Sequence, residues 1–316
     1  MEPSRPRRVW DGYEPPKLAD GFQVQKTLTK RALLVVNPKA RRGTGSIAAA
    51  RAVIEAAGID VHESRPGPDE GIAGLIRAEA DSIDMVVVGG GDGTLNAAAP
   101  ALAETGLPLG VLPLGTANDF ARTLGIPVDL QKAAAIIAAG RTGPVDLGLV
   151  NGHPFFNVAS IGFSAELAGE LSAAAKKRWG VFGYAVVAAR LLARSRLITA
   201  WLDHDGTSEE IHTLQISVGN GRHYGGGMTV EETAAVDDGT LDVYSLEIDH
   251  WWRLLQLLPS LRTGTQARWH DVRAFRTTEV TIRTSKPLPV NTDGELTTTT
   301  PARFEIRPGA VTVFRP

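Results

Sequence analysis

Four consecutive apolar residues, Met85-Val86-Val87-Val88, run straight into Gly89-Gly90-Gly91-Asp92-Gly93-Thr94-Leu95-Asn96. A strand that is apolar at every position, rather than at alternate ones, is buried on both faces, as the central strand of a helix-covered parallel sheet is. The glycines after it form a turn that lets the backbone approach a ligand closely. The helix that follows presents unpaired N–H groups and the positive end of its dipole, a combination suited to phosphate. Thr94 is placed to cap that helix. Asp92 sits where a carboxylate can hold the Mg²⁺ that accompanies a triphosphate, directly or through water. Read without a ligand, the same residues make a plain strand-to-helix turn capped by Asp92.

The flanking sequence supports an α/β domain. Leu33 to Val36, Ile47 to Ala57, Met85 to Val88, Leu95 to Glu104 and Leu109 to Leu112 alternate short apolar runs with Ala-rich helical stretches, a βαβ rhythm with a parallel sheet. After Asn151 the pattern changes to strand-like segments at Phe155 to Ala159, Ile198 to Leu202, Leu214 to Val218 and Leu241 to Leu246, so a second, mostly antiparallel domain is predicted. Helical stretches interrupt it around Ala165 to Ser195 and Trp251 to Leu261, and three more strands are expected from Val272 to Phe314. A length of 316 residues exceeds what one hydrophobic core usually serves, which also argues for two domains. Residues 1–30 mix Arg5, Arg7 and Arg8 with Pro3, Pro6, Pro15 and Pro16 and read as a poorly ordered or extended arm.

Composition narrows the chemistry. A formal net charge of -2 offers no overall attraction to nucleic acid or acidic lipid, so any membrane contact must be local. The chain has no cysteine, hence no disulfide, no thiolate nucleophile and no Cys-based zinc site, which fits a reducing compartment such as the cytoplasm. The richest apolar run, Val181 to Leu192, is short and is broken by Gly183 and Arg190, so it does not span a bilayer. The seven histidines show no His-Glu-x-x-His pattern, and Gly162-Phe163-Ser164-Ala165-Glu166 lacks the final glycine of a nucleophile elbow. Neither Gly-x-x-x-x-Gly-Lys-Ser/Thr nor a Gly-x-Gly-x-x-Gly after the first strand is present.

Two further loops leave the same sheet edge. Asn37-Pro38-Lys39-Ala40-Arg41-Arg42-Gly43-Thr44-Gly45 is a basic loop that could close over phosphates or simply be solvated surface, and Leu114-Gly115-Thr116-Ala117-Asn118-Asp119-Phe120-Ala121-Arg122 is a second turn feeding a second helix. Asn37-Pro38, the Gly-Gly-Asp-Gly-Thr at Gly90 to Thr94 and the Gly-Thr-x-Asn-Asp-Phe-Ala-Arg at Gly115 to Arg122 together resemble the diacylglycerol-kinase catalytic family, which includes bacterial lipid kinases and, more distantly, sphingosine kinases. The resemblance continues through Asp146, Asn157 to Phe163, Gly219-Asn220-Gly221, Tyr224 to Met228, Asp237-Asp238-Gly239 and Asp293-Gly294-Glu295, and covers about Ala32 to Phe314.

That resemblance implies an ATP-binding α/β domain with a parallel sheet, like that of NAD kinases and diacylglycerol kinases, at residues 31–150 with about 306–316 returning to it. It implies a two-sheet, mostly antiparallel β domain for the lipid at 151–305. ATP would be held by Asn37, Pro38, Lys39, Ala40 and Arg41, by Gly90, Gly91, Asp92, Gly93, Thr94, Leu95, Asn96 and Ala97, and by Thr116 and Asn118, with Ser64 the nearest hydroxyl on the second strand. Asp92, Asp119 and Asp146 match acids that the family links through water and Mg²⁺, and an unpaired cluster of three carboxylates would call for a cation. Asp238, with backbone carbonyls at Ala235 and Thr240, matches a separate site for a hard cation.

The phosphoryl acceptor would be a lipid hydroxyl at the membrane surface, whose proton a carboxylate takes. Asp293 is the candidate base; Glu295, on the same side if the segment is extended, and Asp92 are its rivals. Without the resemblance, Asp293-Gly294 reads as a hairpin turn. The chain departs from the family at Ala97, where a glutamate is usual, and at Glu231-Glu232-Thr233-Ala234-Ala235, where a proline commonly precedes the Asp-Asp-Gly. Trp251-Trp252-Arg253 and Lys176-Lys177-Arg178-Trp179 suit peripheral contact with the inner face of the membrane, as they would suit helices packed on a sheet. The alternatives are an NAD kinase, which shares the Gly-Gly-Asp-Gly turn, and a non-catalytic nucleotide or lipid sensor. Among lipids, diacylglycerol, phosphatidylglycerol, ceramide and sphingoid bases remain open.

Overall fold

The computed structural model describes residues 30–37, 44–67, 70–166, 197–221, 223–224, 228–229, 235–248 and 269–316. Outside them lie residues 1–29 of the expected arm, Pro38 to Arg41, the helical stretches expected within 167–196 and 251–261, and the basic-aromatic segments at Lys176 and Trp251.

The chain opens with β1 (Arg31–Val36), α1 (Thr44–Ala56), β2 (Asp60–Ser64), α2 (Gly71–Glu79), β3 (Met85–Gly90), α3 (Asp92–Thr105), β4 (Leu109–Pro113), α4 (Asp119–Thr123), α5 (Leu130–Ala139) and β5 (Thr142–Val150). It continues with β6 (His153–Phe155), β7 (Val158–Gly162), β8 (Ile198–His204), β9 (Thr207–Thr213), β10 (Gln215–Gly219) and the short pair β11 (His223–Tyr224) and β12 (Met228–Thr229). The remainder is β13 (Leu241–Leu246), β14 (Val272–Thr277), β15 (Glu279–Thr284), β16 (Pro289–Thr292), β17 (Glu295–Thr299) and β18 (Ala302–Phe314).

The apolar run lies where its composition requires. All six residues of β3 are buried, and the strand pairs in parallel with β1 on one side and β4 on the other. The parallel portion is ordered β2-β1-β3-β4. Its core joins Leu33, Val87 and Leu112 of the sheet to Ile54, Ile76, Leu102 and Ile137 of the helices. Helix ends follow local chemistry: Asp129 caps α5 by accepting the N–H groups of Gln131 and Lys132, and α3 and α5 stop at Gly106 and Gly140, both left-handed.

The long strand β18 joins the two halves. It pairs in parallel with β4 at Val313 and antiparallel with β5 along most of its length, while its first residues pair with β15. The result is one ten-stranded sheet, continued by β15-β8-β9. A second sheet of six strands, β14-β13-β10-β7-β16-β17, is antiparallel throughout. The two sheets enclose a core of Phe155, Leu202, Ile282 and Phe304 from one and Ile161, Ile216, Val243 and Val290 from the other.

Three local expectations are corrected. The single strand expected at Phe155 to Ala159 is two, because β6 pairs with β5 in the large sheet and β7 with β10 in the small one; Phe156 and Asn157 are the crossing between sheets. The C-terminal region holds five strands rather than three, since β14 and β15 are separated by Thr278 alone and β16 and β17 by a two-residue turn. Gly89 and Gly90 belong to β3, paired with Val36 and Pro113, so only Gly91 separates strand from helix.

Candidate functional site

The carboxyl ends of the four parallel strands converge with their loops. Asn37 follows β1 and donates its backbone N–H to the Gly89 carbonyl, while its Nδ2 donates to Thr94 Oγ1 at 2.9 Å. Thr94 is therefore not the helix cap expected from the sequence: α3 begins at Asp92 with Gly91 in the capping position, and the Thr94 hydroxyl ties β1 to the first turn of α3. Ser64 ends β2 beside Val35, at the same edge. The β4–α4 turn is fixed by Asn118, which has φ 51°, accepts from the Gly115 N–H at 2.8 Å and donates back to the Gly115 carbonyl at 3.0 Å. Thr116 is exposed at the tip of that turn.

The two glycine turns meet backbone to backbone. A Cβ built on Gly115 would lie 2.6 Å from the Gly91 Cα, closer than real Cβ atoms come. Asp92 reinforces the contact, its Oδ1 accepting from the Phe120 N–H of α4 at 3.0 Å. Its carboxylate therefore caps the neighbouring helix rather than its own. Leu95 is buried inside α3, Asn96 is half-buried and Ala97 is exposed.

The β16–β17 hairpin approaches this turn from the other sheet. Its two-residue loop is Asp293-Gly294, with φ 47° and 98°, the positive values that an inward-twisting tight hairpin needs. The hairpin turn expected at Asp293-Gly294 is thus present, and the candidate base lies within it. The Asp293 carboxylate turns back onto the sheet crossing and accepts backbone N–H groups from Phe156 at 2.8 Å, Asn157 at 3.1 Å and Val158 at 2.9 Å. Burial pushes its pKa from 3.8 up to about 6, the negative charge of Asp92 adds to that rise, and the three amides oppose it. Asp92 and Asp293 are therefore close enough to repel each other across the site.

Glu295, first residue of β17, lies over the start of α3: a Cβ on Gly93 would be 2.7 Å from Glu295 Oε1. A side chain there would require the exposed Glu295 carboxylate to move aside. Gly93→Ala should keep or raise thermal stability, because alanine favours a helix over glycine by about 1 kcal/mol. It should also displace Glu295 and lower turnover by roughly tenfold, or about 1.4 kcal/mol. Melting curves and initial rates check both halves.

The other expected metal residues are arranged differently. Asp119 is buried at the first position of α4. Asp146, 2% exposed on β5, has both carboxylate oxygens engaged by backbone N–H groups, Oδ2 by Gly239 and Oδ1 by Gly309, each at 2.7 Å. Asp238 accepts from the N–H and hydroxyl of Thr240 within its own loop, beside Ala235. Among the described residues no group of three or more acids or histidines is placed to hold a metal ion. A cation brought by a triphosphate fits the residues present, since Asp92 spends one oxygen on Phe120 and such an ion needs only one or two carboxylates besides phosphate and water.

Three contributors were not assigned from the sequence: the amides of Phe156 to Val158 that hold Asp293, the close approach of Gly91 and Gly115, and Asn220. A separate hollow of ≈ 580 Å³ lies between the β8–β9 and β14–β15 turns, lined by Asp203, Asp205, Thr207, Thr278 and Glu279, and includes none of the expected residues.

A parallel sheet with glycine turns at its carboxyl edge, faced by a carboxylate from an antiparallel sandwich, is an arrangement suited to a phosphate-bearing ligand. Comparison with known proteins makes the class specific. Residues 31–150 match the diacylglycerol kinase catalytic domain, and residues 157–315 match the YegS C-terminal NAD kinase beta sandwich-like domain. The chain belongs to the diacylglycerol kinase catalytic family and is a kinase. A diacylglycerol kinase of Mycobacterium tuberculosis (strain CDC 1551 / Oshkosh) is 34% identical over 273 residues, 84% of this chain and 85% of the relative. A protein of Pseudomonas aeruginosa (strain UCBPP-PA14) named "Probable lipid kinase YegS-like" is 35% identical over 90% of this chain and 94% of its own. The crystal structure of a diacylglycerol kinase from Bacillus anthracis str. Sterne superposes with a TM-score of 0.73 at 26% identity, covering 92% of this chain and 98% of that one. No helix among the described residues is long and apolar enough to cross a membrane.

Proposed function

We propose that this kinase transfers the γ-phosphoryl group of ATP to the hydroxyl of diacylglycerol or a related membrane lipid, with Asp293 as general base. The observation that carries this reading is the position of Asp293: half-buried, fixed by three amides and opposed to Asp92 at the start of α3. The lipid hydroxyl gives its proton to Asp293 as its oxygen bonds the γ-phosphorus, and the bond from that phosphorus to the β-phosphate oxygen breaks, releasing ADP. The Gly91 to Thr94 turn receives the phosphates, with Asn37 and Thr116 at its sides, and Glu295 orients Asp293 or the acceptor. Mg²⁺ arriving with the nucleotide would be held by Asp92 and would neutralise phosphate charge; Asp119 supports that acid through α4.

The working division is 31–150 with 306–316 for ATP and 151–305 for lipid, the enzyme acting from the cytoplasm at the membrane surface. The relative named a diacylglycerol kinase supports the acceptor class. The test is a thin-layer screen in which labelled ATP is offered with diacylglycerol, phosphatidylglycerol, ceramide, a sphingoid base and NAD. Transfer to a lipid upholds the proposal; transfer to NAD alone, or to nothing, rejects it.

A pH profile adds a second check. Asp293 must be ionised to accept a proton, so kcat should fall about tenfold per unit as the pH drops below about 6. The same group sets a stability trend of opposite sense. Its folded value lies above 3.8, so its contribution is fully present below pH 3.8 and is lost as the pH rises through about 6. Rates and denaturant midpoints between pH 4 and 8 measure the two.

A further inference from the structure

Asn220 directly follows β10 and is 1% exposed. Its Nδ2 donates twice, to the main-chain carbonyl of Asp146 at 2.9 Å and to that of Phe156 at 3.0 Å. The Phe156 N–H in turn donates to Asp293. Asp146, Asn220, Phe156 and Asp293 are therefore joined by consecutive hydrogen bonds, the first three residues buried, from β5 of the large sheet to the hairpin of the small one.

Asp146 anchors the far end. Its N–H donates to the Val236 carbonyl at 2.7 Å, and its carboxylate grips Gly239 in the loop before β13 and Gly309 in β18. Gly309, at φ 60°, lies in the stretch where the β5–β18 register slips between Arg307 and Val311. Four chain segments thus meet on Asp146: the 236–239 loop, the β18 irregularity, the end of β10 and β5 itself. Every one of its polar groups serves that junction. Asn220 also holds the crossing from below, its own N–H and that of Gly221 both donating to the Asn157 carbonyl, at 2.8 and 3.0 Å.

We infer that Asn220 is a positioning residue, which carries the rigidity of the Asp146 junction to the Phe156–Val158 amides and so holds Asp293 against the start of α3. Its role in turnover rests on the kinase reading proposed above; its structural role does not. No other side chain among the described residues donates to the Phe156 carbonyl, so without Asn220 the crossing loses its link to β5 on that side. The segment that aims Asp293 would then keep on that side only the main-chain bonds of Asn220 and Gly221 to the Asn157 carbonyl.

The experiment uses the full chain with Asn220→Ala, which removes both donors and adds no charge, and Asn220→Asp, which keeps the shape but replaces the donors by acceptors. Hydrogen exchange is followed at the Phe156, Asn157 and Val158 amides, with β1 and β3 as internal reference, in the absence of nucleotide and lipid. Both variants should exchange at least tenfold faster at these amides with the reference strands unchanged. Asp146→Asn keeps the carbonyl that Asn220 uses but weakens the grips on Gly239 and Gly309, so it should lower the melting temperature and accelerate the same amides by less than Asn220→Ala does. In the lipid assay, Asn220→Ala should lower kcat roughly tenfold at an unchanged KM for ATP, the split that loss of aim produces. Unchanged exchange at 156–158 in whichever variant folds, or acceleration spread equally over the reference strands, overturns the inference. A native enzyme that phosphorylates no lipid would defeat the kinase reading alone, because the exchange result stands without it.

Discussion

Asp293→Asn is expected to lower kcat for lipid phosphorylation by roughly 10²–10⁴-fold, the range typical for loss of a general base, while ATP still binds. The substitution keeps size and one acceptor oxygen. What it removes is the ability to take a proton, and it places an NH₂ among amides that now share a carboxylate from Phe156, Asn157 and Val158. The crossing should loosen, which adds to the kinetic loss. Calorimetry with ATP and single-turnover rates separate the effects. A variant that keeps full kcat would hand the base role to Glu295 or Asp92.

Gly115→Ala is expected to have the next largest effect, on nucleotide binding rather than on the base. The new Cβ would meet the Gly91 Cα at 2.6 Å and Asn118 Oδ1 at 2.7 Å, and the first of these is main chain that cannot rotate away. Overpacking of this kind costs about 1–3 kcal/mol of stability. The displaced Gly91 to Thr94 amides should lose at least one charge-assisted hydrogen bond to phosphate, weakening ATP about tenfold to a hundredfold. Melting temperature and ATP titration measure the two, and native-like affinity would remove the glycine turns from the nucleotide site.

Much of the parallel half was legible because its signal is local. Met85 to Val88 can only be a doubly covered strand, and the glycines after it mark where the backbone of two turns must pass. The β sandwich was less legible where the decisive partners are remote. Phe155 to Ala159 is nearly continuous in hydrophobicity, yet it belongs to two sheets, and only the pairing of β6 with β5 and β7 with β10 divides it. Thr94 had the chemistry of a cap, but the hydrogen bond it makes comes from Asn37, 57 residues away. Asp146 shows the same limit most plainly: the acid is visible in the sequence, while the amides that occupy it lie 93 and 163 residues further on. Asp293-Gly294 was read as either a turn or a catalytic acid; the turn is there, and it directs the carboxylate onto the crossing.

The most direct test of the whole account is a crystal structure of the protein with Mg²⁺ and a non-hydrolysable ATP analogue. The account predicts phosphates on the Gly91 to Thr94 amides, with the γ-phosphate between Asp92 and Asp293 and the Asp293 carboxylate still held by Phe156 to Val158. Phosphates bound elsewhere, or a γ-phosphate out of reach of Asp293, would contradict it.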